Sequence, residues 1–445
     1  MQPRQILHCD CNCFYAAVEA QEHPEYRGKQ IAVCGNPQAR HGIVLTASYP
    51  AKRQGVKTGM AIWQAQQRCR DLIIIPPHYS EYVRYSGFVR EIFEQYTDQV
   101  EPFGLDESWL DVTGSCGLFG NGMSIAKDIS RKVKKELGIT VSIGVANNKI
   151  SAKLGSDYKK PDAITRIEAD NYEEIAYPLP VEDLLYVGAA TKKKLHWYGI
   201  RTIGDLAKTN PDVLAGWFGK MGYILSSFAR GTDQTPVAKQ GWHAAVKSIG
   251  NSATTPRDLL NDKDVWLMLV ILSESIASRM RELAMKCTVV EITVRDKDLC
   301  SFIRQRKLET PTCYSMEIAQ AAFALFKSSY SWTKPLRSIG VRGSNLVSAD
   351  SAIQLSLLSN EENRERHERL DRAVDVIRER YGYTSLQRAI VYTDHKLGRV
   401  NPTEHTIHPV LYCDGNTSQG ADLIPQYPAP APVYPTDAPS VSSPL

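Results

Sequence analysis

The sequence lacks the features that mark membrane-spanning and secreted proteins. Its 445 residues contain no run approaching the roughly 18 consecutive apolar residues of a transmembrane helix. The opening stretch, MQPRQILHCDCNCFY, has no charged segment followed by an apolar one, which a secretion signal would need. We therefore expect a cytoplasmic protein that does not enter a membrane.

Cysteine and net charge are also scarce. Ten cysteines are too few for a disulfide-stabilised scaffold and indicate reduced thiols. The formal net charge is only +4, which is compatible with a polyanionic partner but does not require one. The apolar fraction of 43% and the charged fraction of 23% are those of an ordinary globular protein. At roughly 100–200 residues per domain, the length predicts two to four domains.

The order of the periodic segments predicts an α+β multidomain protein. Strand and helix patterns alternate up to about residue 170, and helical patterns dominate from about 175 to 236. A polar linker is expected over 239–250, followed by a smaller α+β unit that includes a long helix over 262–284. No internal repeat is present.

The C-terminal region has a different composition. A highly charged helix is expected over 360–381, and a strand-like pattern covers 385–392. We interpret this region as a solvated extension or a surface for a protein partner. The last 21 residues, 425–445, hold seven prolines, which favours a disordered, polyproline-like tail.

Three acidic residues carry the most specific chemistry. Asp10 ends the first predicted strand, while Asp106 and Glu107 are adjacent in an otherwise apolar hairpin expected over 104–112. Buried carboxylates are costly unless they are paired or bound to a metal. Mg²⁺ prefers oxygen ligands and commonly also binds substrate phosphates. The pattern therefore indicates a two-metal phosphoryl-transfer site, with an ordinary acidic turn as the alternative.

The cysteines near Asp10 do not form a zinc pattern. Alternation along a strand places Cys9, Cys11 and Cys13 on one face and Asp10 on the other. The segment has no CxxC pair and no matching His/Cys cluster, and buried cysteine behaves as a small apolar residue. We expect these cysteines to be core residues.

Five segments carry a family resemblance and occur in the family's order. They are HCDCNCFYAAVEA, TASYPAKRQGVKTGM, FGLDESWLDVTGS, VSIGVANNKISAKLGSDYKKP and VGAATKKKLHWYGIRTIGDLA. Over about residues 4–350 the chain resembles the Y-family translesion DNA polymerases, namely the bacterial polymerase IV and UmuC-like enzymes. The resemblance implies an error-prone polymerase that adds deoxynucleotides to a primer 3′-end in the DNA-damage (SOS) response and in repair.

The resemblance also implies a right-hand architecture with a helical thumb and an α+β little finger. The expected parts are a palm (1–20 and 80–172), fingers (21–79), a thumb with a helix–hairpin–helix (173–238), a little finger (245–350), a clamp-binding motif (354–358), a C-terminal extension (359–412) and a proline-rich tail (413–445).

Roles at the catalytic centre follow from the same resemblance. Asp10 and Asp106 match metal-binding aspartates, Glu107 matches the catalytic glutamate and a further ligand, and the Cys11 carbonyl would complete a site for two Mg²⁺ ions. Tyr15 matches the steric gate that excludes a 2′-hydroxyl. Many family members have an acidic residue where this chain has Asn12, whereas the UmuC-like branch also has Asn there.

Triphosphate contacts are implied for a second group of residues. This group comprises Cys13 and Phe14 through their backbone amides, and Tyr49, Lys52, Arg53 and Lys160 through their side chains. The order of Lys52 and Arg53 is the reverse of the order that many family members have. Since Arg binds bidentately and Lys acts as a point charge, which of the two reaches the phosphates stays open.

Contacts with DNA and with a sliding clamp are implied further along the chain. Gly188, Lys192 and Lys193 match the helix–hairpin–helix, although the usual second glycine is Ala189 or Ala190 here. Lys247 is a further expected DNA contact on or beside a predicted strand, and Arg304, Arg306 and Arg342 are expected to form a basic sheet face along the duplex, with plain exposed charges as the alternative. Gln354, Leu355, Leu357 and Leu358 resemble a clamp-docking peptide, in which Leu358 replaces the more frequent Phe.

Several functional alternatives stay open at this point. Asn12 and Lys52 lean towards a UmuC-type subunit that needs partner proteins, such as SOS accessory factors. A nucleotidyl cyclase-like enzyme would share the paired carboxylates but not the DNA-binding segments. A non-catalytic DNA- or clamp-binding protein would not need all three acidic residues. The expected partners are primer–template DNA, deoxynucleoside triphosphates and the clamp, with the protein itself a monomer.

Overall fold

A computed structural model describes residues 3–36, 42–242, 245–351 and 361–402. Its strands are β1 (Ile6–Cys11), β2 (Ile31–Cys34), β3 (Val44–Ala47), β4 (Ile73–Ile75), β5 (Val100–Pro102), β6 (Glu107–Asp111), β7 (Val141–Ala146), β8 (Ile164–Ile167), β9 (Ser248–Leu259), β10 (Met285–Asp296), β11 (Ser301–Thr312) and β12 (Leu336–Ser348). Its helices are α1 (Phe14–Glu22), α2 (Tyr49–Arg53), α3 (Ile62–Arg68), α4 (Tyr79–Glu94), α5 (Cys116–Phe119), α6 (Gly122–Leu137), α7 (Lys149–Tyr158), α8 (Tyr172–Ala176), α9 (Ala189–Trp197), α10 (Ile203–Lys208), α11 (Pro211–Phe218), α12 (Lys220–Ala229), α13 (Asp262–Glu282), α14 (Ser315–Ser329) and α15 (Glu361–Tyr381).

The first sheet has five strands in the order β5-β6-β1-β7-β8. Its central strand β1 is antiparallel to both neighbours, and every one of its residues is buried because helices cover both faces of the sheet. Leu7, Cys9 and Cys11 join the apolar core that includes α4 and α6. His8 and Asp10 point to the other face, where α7 packs. The expectation of core cysteines is confirmed for Cys9 and Cys11 but was wrong for Cys13, which follows the end of β1, starts the turn into α1 and is only partly buried.

In the sequence, the strands of a smaller sheet come between β1 and the other strands of the first sheet. Strands β3, β2 and β4 pair in that order, with β2 antiparallel to β3 and parallel to β4. Helices α2 and α3 contribute Ala51, Ile62 and Ala65 to its core. The core is small, so this unit carries few apolar contacts.

Helices α8 to α12 form a separate helical segment around its own core, which includes Leu195, Leu206 and Leu214. After this segment the chain runs along the first sheet. Val237 is buried against that sheet, and the Ala238 amide donates to Glu101 Oε2 at 2.8 Å.

The last sheet is antiparallel, in the order β11-β10-β12-β9. Helices α13 and α14 pack on one face, where Val290, Ile292 and Phe326 are buried. The long apolar run of α13 explains its burial at almost every turn. The opposite face of this sheet is not covered by any helix in the described ranges.

The C-terminal extension packs on this last unit, which corrects the expectation of a solvated segment. Arg281 on α13, with a side chain only 6% exposed, pairs with Asp371 and Asp375 of α15. Val391 and Leu397 enter the apolar core beneath α13. The extension is therefore an integral layer of the C-terminal unit.

The strand expected over 385–392 was also wrong. The chain forms a short 3₁₀ helix at Ala389–Thr393, which buries Val391 and leaves Tyr392 exposed. Alternating polarity over so few residues is compatible with either conformation.

Candidate active site

Backbone pairing brings the three acidic residues together at one end of the first sheet. Asp10 lies directly opposite Glu107 in the β1–β6 ladder. The Cys11 amide donates to the Asp106 carbonyl at 2.8 Å, which fixes the turn that leads into β6. The prediction that residue 10 and the 106–107 turn converge is confirmed by this register.

Two lysines from the α7 region hold these carboxylates. Lys153 Nζ lies 2.6 Å from Glu107 Oε2 and 3.2 Å from Asp10 Oδ2. Lys160 Nζ lies 2.8 Å from the same Asp10 oxygen. Both ammonium groups also contact Asp157, at 3.1 and 2.8 Å. The site is therefore a compact array of alternating charges.

Burial and mutual repulsion perturb the acids. Desolvation, followed by the Asp10 carboxylate, raises the pKa of Asp106 to about 6. Desolvation also raises the pKa of Glu107 to about 7, against the opposing effect of Lys153. Burial alone would lower the pKa of Lys153, but Asp10, Asp157 and Glu107 raise it, so this lysine stays charged. Acids perturbed in this way beside a fixed cation are typical of functional sites.

The buried His8 side chain lies next to Glu107. Its Nδ1 is 2.8 Å from Ser156 Oγ, and its Nε2 lies 3.5 Å from Glu107 Oε2. Its edge meets the ring of Trp109 at 5.1 Å between centroids. Burial lowers the pKa of His8, so the ring is neutral.

The chemistry of the donor set suits divalent cations. Among the described residues, no three acidic, His or Cys side chains already enclose one point at metal-binding distance. The lysine ammonium groups lie between the carboxylates instead. Three carboxylates gathered at one strand end, two of them with raised pKa values, supply the oxygen donors that Mg²⁺ prefers.

Tyr15 lies on α1 beside this array. Cys13 adopts a left-handed conformation (φ 42°) at the start of α1, so the chain turns sharply after β1. The half-buried Tyr15 ring stacks on Tyr82 with 4.2 Å between centroids and 11° between planes. Burial and the nearby Asp106 carboxylate raise the pKa of Tyr15 to about 12, so its hydroxyl is protonated.

Both basic residues of α2 are exposed, but only Lys52 has a contact recorded with the residues around the site. Lys52 Nζ lies 4.9 Å from the centre of the Tyr49 ring, and its charge acts on the Cys13 thiol. Burial raises the pKa of Tyr49 to about 12, and the nearby Cys13 and Asp10 contribute to the rise. Arg53 is exposed and makes no side-chain contact within the described residues.

The helical segment places its predicted DNA-binding residues at the start of α9. Gly188 is the residue before the helix and accepts a hydrogen bond from the Lys192 amide at 2.8 Å. Lys192 is engaged by Glu182 at 2.5 Å, whereas Lys193 is exposed. Trp197, one turn beyond Lys193, is 86% exposed, and the sequence analysis did not single it out.

The expected basic face of the last sheet is divided between its two sides. Arg304 and Arg306 lie opposite Ile292 and Val290, so they are on the side that the helices cover, at the sheet's edge. Arg342 lies opposite Glu291 and is on the open side. The prediction that all three arginines lie on one face was wrong, because the strand register places Arg342 on the opposite side from Arg304 and Arg306.

The open side is rich in hydroxyl side chains. Its cross-strand pairs between β12 and β9 are Ser338–Thr254, Gly340–Ser252, Arg342–Gly250 and Ser344–Ser248. Lys247 is exposed just before β9. The alternation of Ser, Thr and Gly along these strands could have identified this surface in the sequence.

Two sequence predictions fall outside the described residues. The clamp-docking peptide at Gln354–Leu358 is one of them, and the proline-rich tail over 413–445 is the other. None of the helices in the described ranges combines the length and apolarity that crossing a bilayer requires.

Comparison with known protein families covers most of the chain. The impB/mucB/samB family matches residues 9–157, and its C-terminal domain matches residues 246–357. The thumb domain of DNA polymerase-iota matches residues 182–233.

Curated relatives align along nearly their whole length. DNA polymerase IV of Acetivibrio thermocellus is 48% identical over 397 residues, which is 89% of this chain and all of that protein. DNA polymerase IV of Desulfatibacillum aliphaticivorans is 37% identical, covering 88% and 98%. DNA polymerase IV 1 of Bacillus subtilis is 35% identical, covering 85% and 91%.

A solved structure shares the fold. A Y-family DNA polymerase chimera superposes with a TM-score of 0.68 at 25% identity, over 77% of this chain and 99% of the chimera. The chain thus belongs to the impB/mucB/samB family and is a Y-family translesion DNA polymerase of the polymerase IV type.

Proposed function

We propose that Asp10, Asp106 and Glu107 form the catalytic centre at which this polymerase adds a deoxynucleotide to a primer 3′-end. One observation carries the proposal. Asp10 pairs with Glu107 across β1 and β6, and the adjoining Asp106 is half-buried with a raised pKa. No structural role in the fold requires three acids at this strand end, where their burial costs stability.

The centre would hold two Mg²⁺ ions through these three carboxylates and the Cys11 carbonyl. When bound, the ions supply activation of the primer 3′-hydroxyl and stabilisation of the departing pyrophosphate. The protein contributes position and charge. Lys153 donates a hydrogen bond to Glu107 Oε2 and would orient this carboxylate, with the neutral His8 ring beside it.

The triphosphate would lie between Lys160 and the start of α1. Lys160 contacts Asp10 from outside the array and presents a half-buried ammonium group. The amides that open α1, including those of Cys13 and Phe14, have no partners within the helix and suit phosphate oxygens.

We assign the remaining phosphate contact to Lys52 and Tyr49. Lys52 points towards Tyr49 and Cys13, whereas Arg53 projects outward on the same helix. This supports Lys52 rather than Arg53 as the phosphate contact, because the Lys52 ammonium group lies beside Tyr49 and near the Cys13 thiol. Tyr15 would lie against the sugar and exclude a 2′-hydroxyl by steric clash.

The domain roles follow the architecture. The five-stranded sheet would be the palm (1–20 and 80–172), the three-stranded unit the fingers (21–79), the helices the thumb (173–238) and the four-stranded unit the little finger (245–350). A fingers unit built on three short strands presses weakly on the nascent base pair, which suits bypass of damaged bases.

Duplex DNA would contact the exposed Lys193, the amides beside Gly188 and the open face of the little finger around Arg342 and Lys247. Arg304 and Arg306 could contact the DNA phosphate backbone only at the edge of the sheet. These contacts are sequence-independent and salt-sensitive.

Partner use is the finer part of the proposal. Gln354–Leu358 would dock on a sliding clamp through its glutamine and leucines. We favour a single-chain polymerase over a UmuC-type subunit. The support is the 48% identity to a DNA polymerase IV over that protein's entire length.

Primer extension by the purified chain tests the function. We expect Mg²⁺-dependent incorporation of all four deoxynucleotides on an intact template and measurable insertion opposite an abasic site. Absence of any incorporation by the single chain, restored by an accessory protein, would support the UmuC-type alternative. Absence under both conditions would leave only a non-catalytic role.

A further inference from the structure

The ring of Tyr15 is held from behind by a residue of another helix. Tyr82 on α4 is fully buried and stacks on Tyr15 almost face to face, with 4.2 Å between ring centroids. A steric wall discriminates only if it cannot move aside. The contacts that hold Tyr82 in place therefore also determine how firmly Tyr15 is held.

The hydroxyl of Tyr82 is fixed by a buried acid. It donates to Glu19 Oε1, and it accepts a hydrogen bond from the His78 amide at 3.1 Å. Glu19 is only 2% exposed, and the His78 ring closes over it, with Nδ1 2.9 Å from Oε1 and 3.2 Å from Oε2. Burial, followed by the Glu19 carboxylate, raises the pKa of Tyr82, so the hydroxyl keeps the proton it donates.

Tyr82 connects α4 to α1 through two contacts on one face of α1. Tyr15 and Glu19 are four residues apart on α1, so they share one face about one turn apart. Tyr82 spans that turn, with its ring against Tyr15 and its hydroxyl on Glu19. A shift of the Tyr82 ring along α1 would weaken one contact or the other, so the two contacts together fix the position of this ring relative to α1.

We infer that the hydrogen bond between Tyr82 and Glu19 is a specificity determinant, which keeps Tyr15 in the position that excludes ribonucleotides. Tyr82 and Glu19 are positioning residues that act through Tyr15 and do not touch the nucleotide. The inference rests on the proposed role of Tyr15 as the sugar-excluding residue.

The test is sugar selectivity in the full chain. Tyr82→Phe removes the hydroxyl and keeps the stacked ring. We expect the ratio of kcat/KM for a deoxynucleotide to that for the matching ribonucleotide to fall about tenfold, corresponding to about 1.4 kcal/mol. The change should come from faster ribonucleotide incorporation, which a general loss of packing would not produce.

Tyr79→Phe is the matched control. Tyr79 also meets Tyr15, edge-on at 6.1 Å, but its hydroxyl has no hydrogen-bond partner in the described part of the chain. We expect this variant to keep the wild-type ratio. Equal loss of selectivity in both variants would overturn the inference, because removal of any hydroxyl near Tyr15 would then suffice.

Two further variants separate the possible failures. Tyr15→Ala tests the proposed gate itself. If it relaxes selectivity while folded Tyr82→Phe does not, the inference fails and the gate stands; if Tyr15→Ala keeps the ratio, both fail. Should Tyr82→Phe not fold, Glu19→Gln keeps the side-chain shape and weakens the same hydrogen bond, and a wild-type ratio in that variant overturns the inference.

Discussion

Lys153 donates to Glu107 Oε2 at 2.6 Å and thereby places a buried positive charge inside the cluster of proposed metal ligands. The same ammonium group reaches Asp10 at 3.2 Å. In the protein alone, it offsets the repulsion between carboxylates that would otherwise face one another across β1 and β6. A divalent cation at the same carboxylates would serve the same electrostatic purpose.

Lys153→Met should therefore make stability depend more strongly on Mg²⁺. We expect the variant without divalent ions to lose about 1–3 kcal/mol, because buried charged hydrogen bonds are left without a partner. Added Mg²⁺ should raise its Tm more than it raises the wild-type Tm. Thermal unfolding with EDTA and with Mg²⁺ measures both quantities. An equal Mg²⁺ effect in the two proteins would contradict this role of Lys153.

The two basic residues of α2 should behave differently when truncated. Lys52→Ala removes a charge directed at Tyr49 and the start of α1, so we expect KM for the deoxynucleotide to rise about tenfold. Arg53→Ala removes an outward-facing charge and should change KM by less than about twofold. Steady-state single-nucleotide insertion measures both. The reverse order of effects would assign the phosphate contact to Arg53.

Much of this site could be anticipated from the sequence, but Lys153 could not. Asp10, Asp106 and Glu107 are recognisable because carboxylates interrupt apolar strand patterns. Lys153 follows the ordinary amphipathic pattern of α7, in which a lysine is usually a solvated charge. Only the packing of α7 across β1 turns it towards the acids.

Strand register and helix docking were the other unpredictable features. The sequence places Arg304, Arg306 and Arg342 on strands but does not specify which residues lie opposite one another. A single-residue change in register moves a side chain to the other face. The charged pattern of α15 likewise suggested solvent exposure, because its buried face consists of ion pairs rather than apolar residues.

Those ion pairs should make the C-terminal extension important for stability. Glu274 on α13 accepts from Arg378 at 3.0 Å and from Arg388 at 2.5 Å. Glu274→Gln leaves Arg378 without its carboxylate and Arg388 with Asp371 alone, and we expect a loss of about 2–4 kcal/mol in the free energy of unfolding. Glu379→Gln alters an exposed acid on α15 and should change it by less than about 0.5 kcal/mol.

Urea unfolding of the two variants measures this difference. If Glu274→Gln were as stable as Glu379→Gln, the extension would not be held by its buried charges.

The two sides of the little-finger sheet should differ in their contribution to DNA binding. Arg342 lies on the open side, so Arg342→Ala should reduce the slope of log K against log salt by about 0.9, as expected for one lost phosphate contact. Arg306→Ala should have a smaller effect, because that side chain shares the side covered by helices. Fluorescence anisotropy with duplex DNA over a range of salt concentrations gives both slopes. A larger effect of Arg306 would show that duplex DNA lies along the sheet's edge.

Single-turnover incorporation by Asp106→Ala tests the proposed catalytic centre most directly. Primer–template affinity should stay within about threefold of wild type, because the DNA-binding surfaces lie elsewhere. The rate of nucleotide addition with Mg²⁺ should fall by at least about 10³-fold, which corresponds to about 4 kcal/mol of lost transition-state stabilisation. Incorporation at close to the wild-type rate by this folded, DNA-binding variant would contradict the assignment of the catalytic acids.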